Sequence, residues 1–167
     1  MKLFITDTNV FFDLMNIEAL PEFFGLDFEI CTTDFVVNEI LRLEQAEQIQ
    51  NFIRSKHLTV LSFSSDEIEE VVNLKTKRML RRIADKSVLW KALQLKCQLL
   101  TGDKSLRNEA EENGLEVHGS IWVVMKIVDA KLLSAENGIE LYEKLKIVND
   151  SLPKDEIEKL IKKLKLQ

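Results

Sequence analysis

Four acidic residues stand where an α/β chain would place its chemistry: Asp7, Glu39, Asp85 and Asp103. Asp7 follows the apolar run Leu3-Phe4-Ile5, the pattern of a strand buried on both faces. Asp103 follows the apolar segment 97–101 through Gly102. Glu39 lies about one turn into a helix that begins at Thr33 or Asp34, and Asp85 opens a helix carrying Val88, Leu89, Ala92 and Leu93. In a parallel sheet, strand carboxyl ends and the amino ends of the following helices share one edge, where ligands bind. All four acids fall on that edge. Carboxylates gathered there repel one another unless a cation joins them. Hard oxygen donors suit Mg²⁺ or Mn²⁺, and such ions clamp phosphate groups and activate water. The chemistry implied is metal-assisted hydrolysis of a phosphodiester. No Ser–His or Cys–His nucleophile pattern and no glycine-rich phosphate loop offers another route.

Each acid also has a plainer reading. Asp7, Asp85 and Asp103 suit helix caps or turns, and Glu39 is one of 28 acids in the chain. The shared edge is what favours a site. A second local signal lies in residues 75–96, where Lys75, Lys77, Arg78, Arg81, Arg82, Lys86, Lys91 and Lys96 face a single acid, Asp85. This reads either as a solvated helix face or as a phosphate-tracking surface, and its position beside Asp85 favours the second. Arg78, Arg81, Arg82, Lys86 and Lys104 are the expected nucleic-acid contacts, with Arg107 beside them. The net charge of −5 gives no general attraction to nucleic acid, so any such contact must be local.

The elements that must position these residues alternate. Strands are expected at 2–6, 28–32, 58–63, 97–101 and 115–117. Helices are expected after residue 8, from 33 or 34 through Leu41, at 45–56, from Asp66 to about Lys75, from about Asp85, and at 104–113. Ser64 and Glu67 have capping-box spacing, and Asn113-Gly114 is a helix stop. Three further helices, 121–130, 135–148 and 154–166, follow with no strand. The pattern gives the α/β class, a three-layer α/β/α fold around a parallel sheet of four to five strands, with a C-terminal helical extension. An α/β domain at 1–118 and an extension at 119–167 packed on it are the expected parts.

The hydrophobic fraction of 46% is enough for a core, and two prolines and five glycines argue against disorder. Cys31 and Cys97 have no paired motif and read as reduced core thiols. No apolar stretch is long enough to span a bilayer, and the N-terminus lacks a signal-peptide pattern. The expected location is the cytoplasm.

The strand-Asp7-Thr8-Asn9 segment, Glu39 in Val-Val-Asn-Glu-Ile, Asp85 in Asp-Lys-Ser-Val-Leu, and Leu-Leu-Thr-Gly-Asp103 together resemble the PIN-domain family. The match runs in order and spacing from residue 1 to about 118. Members are small metal-dependent ribonucleases, many of them toxins of bacterial and archaeal toxin–antitoxin pairs, and they often form homodimers. The resemblance implies that Asp7, Glu39, Asp85 and Asp103 bind Mg²⁺ or Mn²⁺ and that the substrate is RNA. It implies an antitoxin protein and a second copy as protein partners. It gives Asn9 a supporting hydrogen bond to Asp7, and Thr101 the task of holding the Asp103 loop. The helical tail makes the chain longer than a compact PIN toxin, and the segment 99–117 with Gly119 looks more like an uncharacterised PIN subgroup. Two other readings stand beside this one. A PIN-fold module that binds RNA or protein without turnover is opposed by the presence of all four acids. A haloacid dehalogenase-type phosphatase is opposed by Asn9, where that family has a second acid.

Overall fold

A computed structural model describes residues 2–166 of the chain. Five parallel strands form one sheet: β1 (Lys2–Thr6), β2 (Phe28–Thr33), β3 (Leu58–Leu61), β4 (Gln98–Leu100) and β5 (Val117–His118). Their spatial order is β3-β2-β1-β4-β5. Ile5 of β1 pairs with Cys31 of β2 on one side and with Leu99 of β4 on the other, so β1 is the central strand. Its burial on both sides explains the unbroken apolar run: Phe4 and Ile5 are fully buried. The order of the chain reverses between β1 and β4, which opens a crevice beyond their carboxyl ends.

The helices are α1 (Thr8–Asn16), α2 (Leu20–Phe24), α3 (Asp34–Asn38), α4 (Leu43–Arg54), α5 (Ser65–Val72), α6 (Ile83–Leu95), α7 (Lys104–Glu112), α8 (Ser120–Asp129), α9 (Ala135–Val148) and α10 (Lys154–Leu164). α6 packs on β1, β2 and β4 and carries α3, α5 and α7 with it. α1, α2, α8, α9 and α10 form a second connected group. The result is the expected three-layer α/β/α fold. The two cysteines are free and buried. No helix among the described residues is long and apolar enough to cross a membrane.

The helical tail is joined to the α/β core by packing and by buried polar links. Asp13 of α1 accepts from the Ser120 hydroxyl at 2.6 Å and from the Asn149 amide at 2.9 Å. Within the tail, the buried Tyr142 hydroxyl of α9 donates to the Ile121 carbonyl of α8 at 3.0 Å. At Gly138 a side chain would meet Val128 Cγ2 at 2.5 Å, so glycine lets α9 lie against the end of α8.

Several boundaries differ from the sequence reading. α3 ends at Asn38, and Glu39 is its C-cap rather than an interior residue. The last turn tightens: Glu39 N–H donates to Val36 O and Ile40 N–H to Val37 O, each three residues back. Leu41, expected inward, is 87% exposed. β3 stops at Leu61, and the last strand is 117–118 rather than 115–117. The largest difference is at 73–82. α5 ends at Val72, and the first half of the basic run is a loop. The carboxylate of Glu109, buried in α7, accepts the Lys77 and Arg78 backbone N–H groups at 3.1 and 3.0 Å. Those donors are thereby satisfied outside any helix.

Candidate active site

Asp7 is the N-cap of α1 and the residue immediately after β1. Its backbone N–H extends the ladder to Leu100 O at 2.9 Å. Both carboxylate oxygens are held. Oδ1 accepts from Thr8 N–H at 2.6 Å, and Oδ2 accepts from the Thr101 hydroxyl at 2.8 Å. Asp7 is fully buried. Burial pushes its pKa up to about 6, the Thr101 hydroxyl pulls it back, and the nearby Asp85 charge raises it while Arg82 lowers it.

Thr101 joins two of the four acids. Its Oγ1 donates to Asp7 and accepts from Asp103 N–H at 3.0 Å. It therefore holds the loop that carries Asp103, as the resemblance implied. Asp103 caps α7 through Oδ1, which accepts from Leu106 N–H at 2.7 Å. Its Oδ2 carries no hydrogen bond among the described residues. Asp7 and Asp103 are thus both helix caps and residues of the carboxyl edge of the sheet.

Glu39 and Asp85 meet from the other side of β1. Glu39 Oε2 accepts from the Thr8 hydroxyl at 2.8 Å. Asp85, in the first turn of α6, is buried, and burial raises its pKa. The paired Arg82 opposes that rise, while Asp103 and Glu39 add to it. A buried hydroxyl pair, Thr33 with Ser87 at 2.8 Å, ties the start of α3 to α6 and so fixes Glu39 relative to Asp85. Arg82 stands among the acids. Its Nη2 and Nε donate to the two oxygens of Asp85 at 2.7 and 3.2 Å, and Nη1 donates to Glu39 Oε2 at 3.3 Å.

The remaining basic residues divide. Arg78 is spent on Glu112 and Glu109, and Lys86 donates to Val72 O. Arg107 donates to Thr101 O and Val117 O, both at 3.1 Å, so it braces the β4 and β5 ends. Arg81 and Lys104 are exposed and carry no ion pair among the described residues. A cleft of about 600 Å³ is lined by Arg78–Arg82, Asp103 and Ser105, so the arginine loop faces the Asp103 carboxylate. A second cleft, of about 550 Å³, shares Asp103 and adds Asn9, Asp13 and Lys104. Asn9 lines that cleft; among the described residues no hydrogen bond joins it to Asp7. The partners of Asp7 are its neighbour Thr8 and Thr101 from the adjacent strand.

The sequence reading missed Thr8, Glu109 and the bridging role of Arg82. Thr8 and Arg82 had local signals, one beside Asp7 and the other three residues before Asp85. Glu109 had none.

The donor set is chemically suited to a small hard dication: carboxylate oxygens from four elements, with the Asp85 charge felt at Asp7 and the Asp103 and Glu39 charges felt at Asp85. The arrangement is nonetheless a closed one. Among the described residues no three acidic, histidine or cysteine side chains lie close enough together to hold an ion.

Comparison with known proteins gives the family. The model of the PIN-domain family DUF3368 matches residues 3–166, and the chain belongs to the PIN-domain family. The match includes the helical tail. Proteins of this family are generally nucleases, and the fold here is of that nuclease type. Among solved structures, the chain is similar to a PilT N-terminus domain protein, SSO1118, from the hyperthermophilic archaeon Sulfolobus solfataricus P2. The TM-score is 0.49 at 13% identity, covering 75% of this chain and 93% of that one. It is also similar to a domain of a functionally unknown protein from Methanocaldococcus jannaschii DSM 2661. There the TM-score is 0.47 at 24% identity, covering 71% and 91%. No curated protein matches.

Proposed function

We propose that this chain is a metal-dependent ribonuclease that hydrolyses phosphodiester bonds of RNA at the crevice beyond β1 and β4. The observation that carries the reading is the placement of Asp7, Glu39, Asp85 and Asp103 along that edge, joined pairwise through Thr101 and Arg82, beside a cleft lined by the 78–82 loop. Asp7, Asp85 and Asp103, with Glu39, would hold Mg²⁺ or Mn²⁺. A bound dication supplies a Lewis acid for a phosphoryl oxygen and makes water a stronger nucleophile.

The chain's own residues supply the rest. Thr101 and Thr8 fix both oxygens of Asp7, so its orientation is set before anything binds. Thr101 sets Asp103 by the same hydroxyl, and Asp103 caps α7 and lines the cleft. Arg81 and Lys104, exposed and without an ion pair among the described residues, would meet backbone phosphates of the RNA. Burial keeps water from the Asp7 carboxylate and strengthens its electrostatic effect.

The test is cleavage of a mixed, end-labelled RNA pool with Mg²⁺, Mn²⁺ or EDTA, comparing the native chain with Asp7→Asn. Cleavage that needs metal and disappears in the variant supports the reading. Cleavage that survives the substitution removes it. RNA binding without cleavage, weakening with salt, supports a binding module instead. Growth arrest on expression, relieved by Asp7→Asn, would extend the reading to a toxin. Co-purification and sizing would then seek an antitoxin or a second copy.

A further inference from the structure

We infer that Arg82 is a built-in counter-cation of the acid cluster, which must leave before a dication enters and which a substrate phosphate draws away. The inference rests on the metal-dependent reading above and names a control on that same site.

The geometry is specific. Arg82 uses three N–H groups on two acids. Nη2 and Nε engage both oxygens of Asp85 at 2.7 and 3.2 Å, and Nη1 reaches Glu39 Oε2 at 3.3 Å. Glu39 Oε2 already accepts from the Thr8 hydroxyl, so that oxygen has two donors. A dication coordinated by Asp85 and Glu39 would take the same lone pairs and stand beside a fixed positive charge. The two cations therefore compete for the same carboxylates.

Arg82 is placed to move. It is the N-cap residue of α6, with extended backbone, and its side chain makes no cap to the helix. It ends the 73–82 loop, and its side chain is 40% exposed. It already lines the cleft shared by Arg81, Asp103 and Ser105. A guanidinium that turns from Asp85 into this cleft presents the same planar fork to a phosphate that it gives to the carboxylate. Its departure removes one positive charge from the acids and adds one to the RNA surface. A single movement thus favours dication and phosphate together. By reciprocity, a phosphodiester raises the affinity for the dication by the factor by which the dication raises affinity for the phosphodiester. The free protein is then held with low dication affinity, and the site assembles on its substrate.

The test is Mn²⁺ binding, read from the paramagnetic resonance signal of the free ion. Native chain, Arg82→Gln and Arg82→Lys are titrated with and without a short single-stranded phosphorothioate RNA, its integrity checked afterwards. Arg82→Gln is expected to bind Mn²⁺ about tenfold more tightly than the native chain without RNA, within the usual range of couplings between sites. RNA should tighten Mn²⁺ binding by the native chain and leave Arg82→Gln almost unchanged. Arg82→Lys, which keeps the charge but loses the fork, should fall between them, and it carries the test if the glutamine variant does not fold. Equal or weaker Mn²⁺ binding by the variants overturns the inference while leaving the metal reading intact. No Mn²⁺ binding by any form, with or without RNA, removes both.

Discussion

Replacing Thr101 by valine tests whether one hydroxyl organises the acidic edge. The side chain is fully buried, and valine keeps its shape, so the change removes hydrogen bonds and little else. Two are lost, the donation to Asp7 Oδ2 and the acceptance from Asp103 N–H. A hydrogen bond to a charged group contributes about 1.5–3 kcal/mol and a neutral one about 1 kcal/mol. With Asp7 ionised, Thr101→Val should therefore cost about 3 kcal/mol, or roughly 6–12 °C in Tm for a domain of this size. The cost should depend on pH. Burial first, against the pull of Thr101, holds the Asp7 pKa at about 6, above the ordinary aspartate value of 3.8. An acid raised on folding keeps its proton longer in the folded state, so stability declines as pH climbs from about 4 to about 6 and is level above. Loss of the hydroxyl raises the Asp7 pKa further, so in the variant the decline continues past pH 6. Urea melts in EDTA should show a loss of about 2 kcal/mol near pH 5, where Asp7 is protonated and both lost bonds are neutral, and about 3 kcal/mol near pH 8. A loss that is equal at the two pH values, or smaller at pH 8, refutes the assignment of Thr101 as the partner of an ionised Asp7.

Three other outcomes follow from the same geometry. Gly138→Ala should cost about 1–3 kcal/mol in thermal or urea unfolding, because the new methyl lies 2.5 Å from Val128 Cγ2; an unchanged Tm contradicts the packing of α8 on α9. Asp13 also has a pKa raised by burial, against donations from Ser120 and Asn149, so it too lowers stability as pH rises through that pKa. Asp13→Asn should flatten this part of the stability–pH curve, and an unaltered slope sinks the claim. Glu109→Ala should free the arginine loop at a cost of about 1–3 kcal/mol. The Lys77 and Arg78 amides, which it accepts at 3.1 and 3.0 Å, should then exchange hydrogen faster; unchanged protection there refutes the anchoring role.

The edge acids were legible because the sheet imposes its pattern on the chain. Leu3-Phe4-Ile5 has to be apolar on both sides of a central strand, so its polar stop at Asp7 marks a strand end. The same logic read β4 and placed Asp103. Glu39 was placed on the right edge but in too long a helix. Val36, Val37 and Ile40 keep a helical spacing through a turn that has tightened to three-residue bonds. The arginine loop was not legible, because its backbone is held by a carboxylate about thirty positions later, at Glu109. Arg82 showed a local partner in Asp85, but its contact with Glu39 spans the fold, and only the folded chain reveals it as an internal cation. Asn9 lies two residues beyond Asp7, yet the hydroxyls of Thr8 and Thr101 meet the acids instead.

The most direct test of the central claim follows the oxygen. RNA is digested by the native chain with Mg²⁺ in isotopically labelled water, and the products are weighed by mass spectrometry. Hydrolysis by an activated water predicts label in the new phosphate terminus, no cyclic phosphate, and no products in EDTA. Unlabelled or cyclic phosphate ends, or products formed equally well in EDTA, would contradict it.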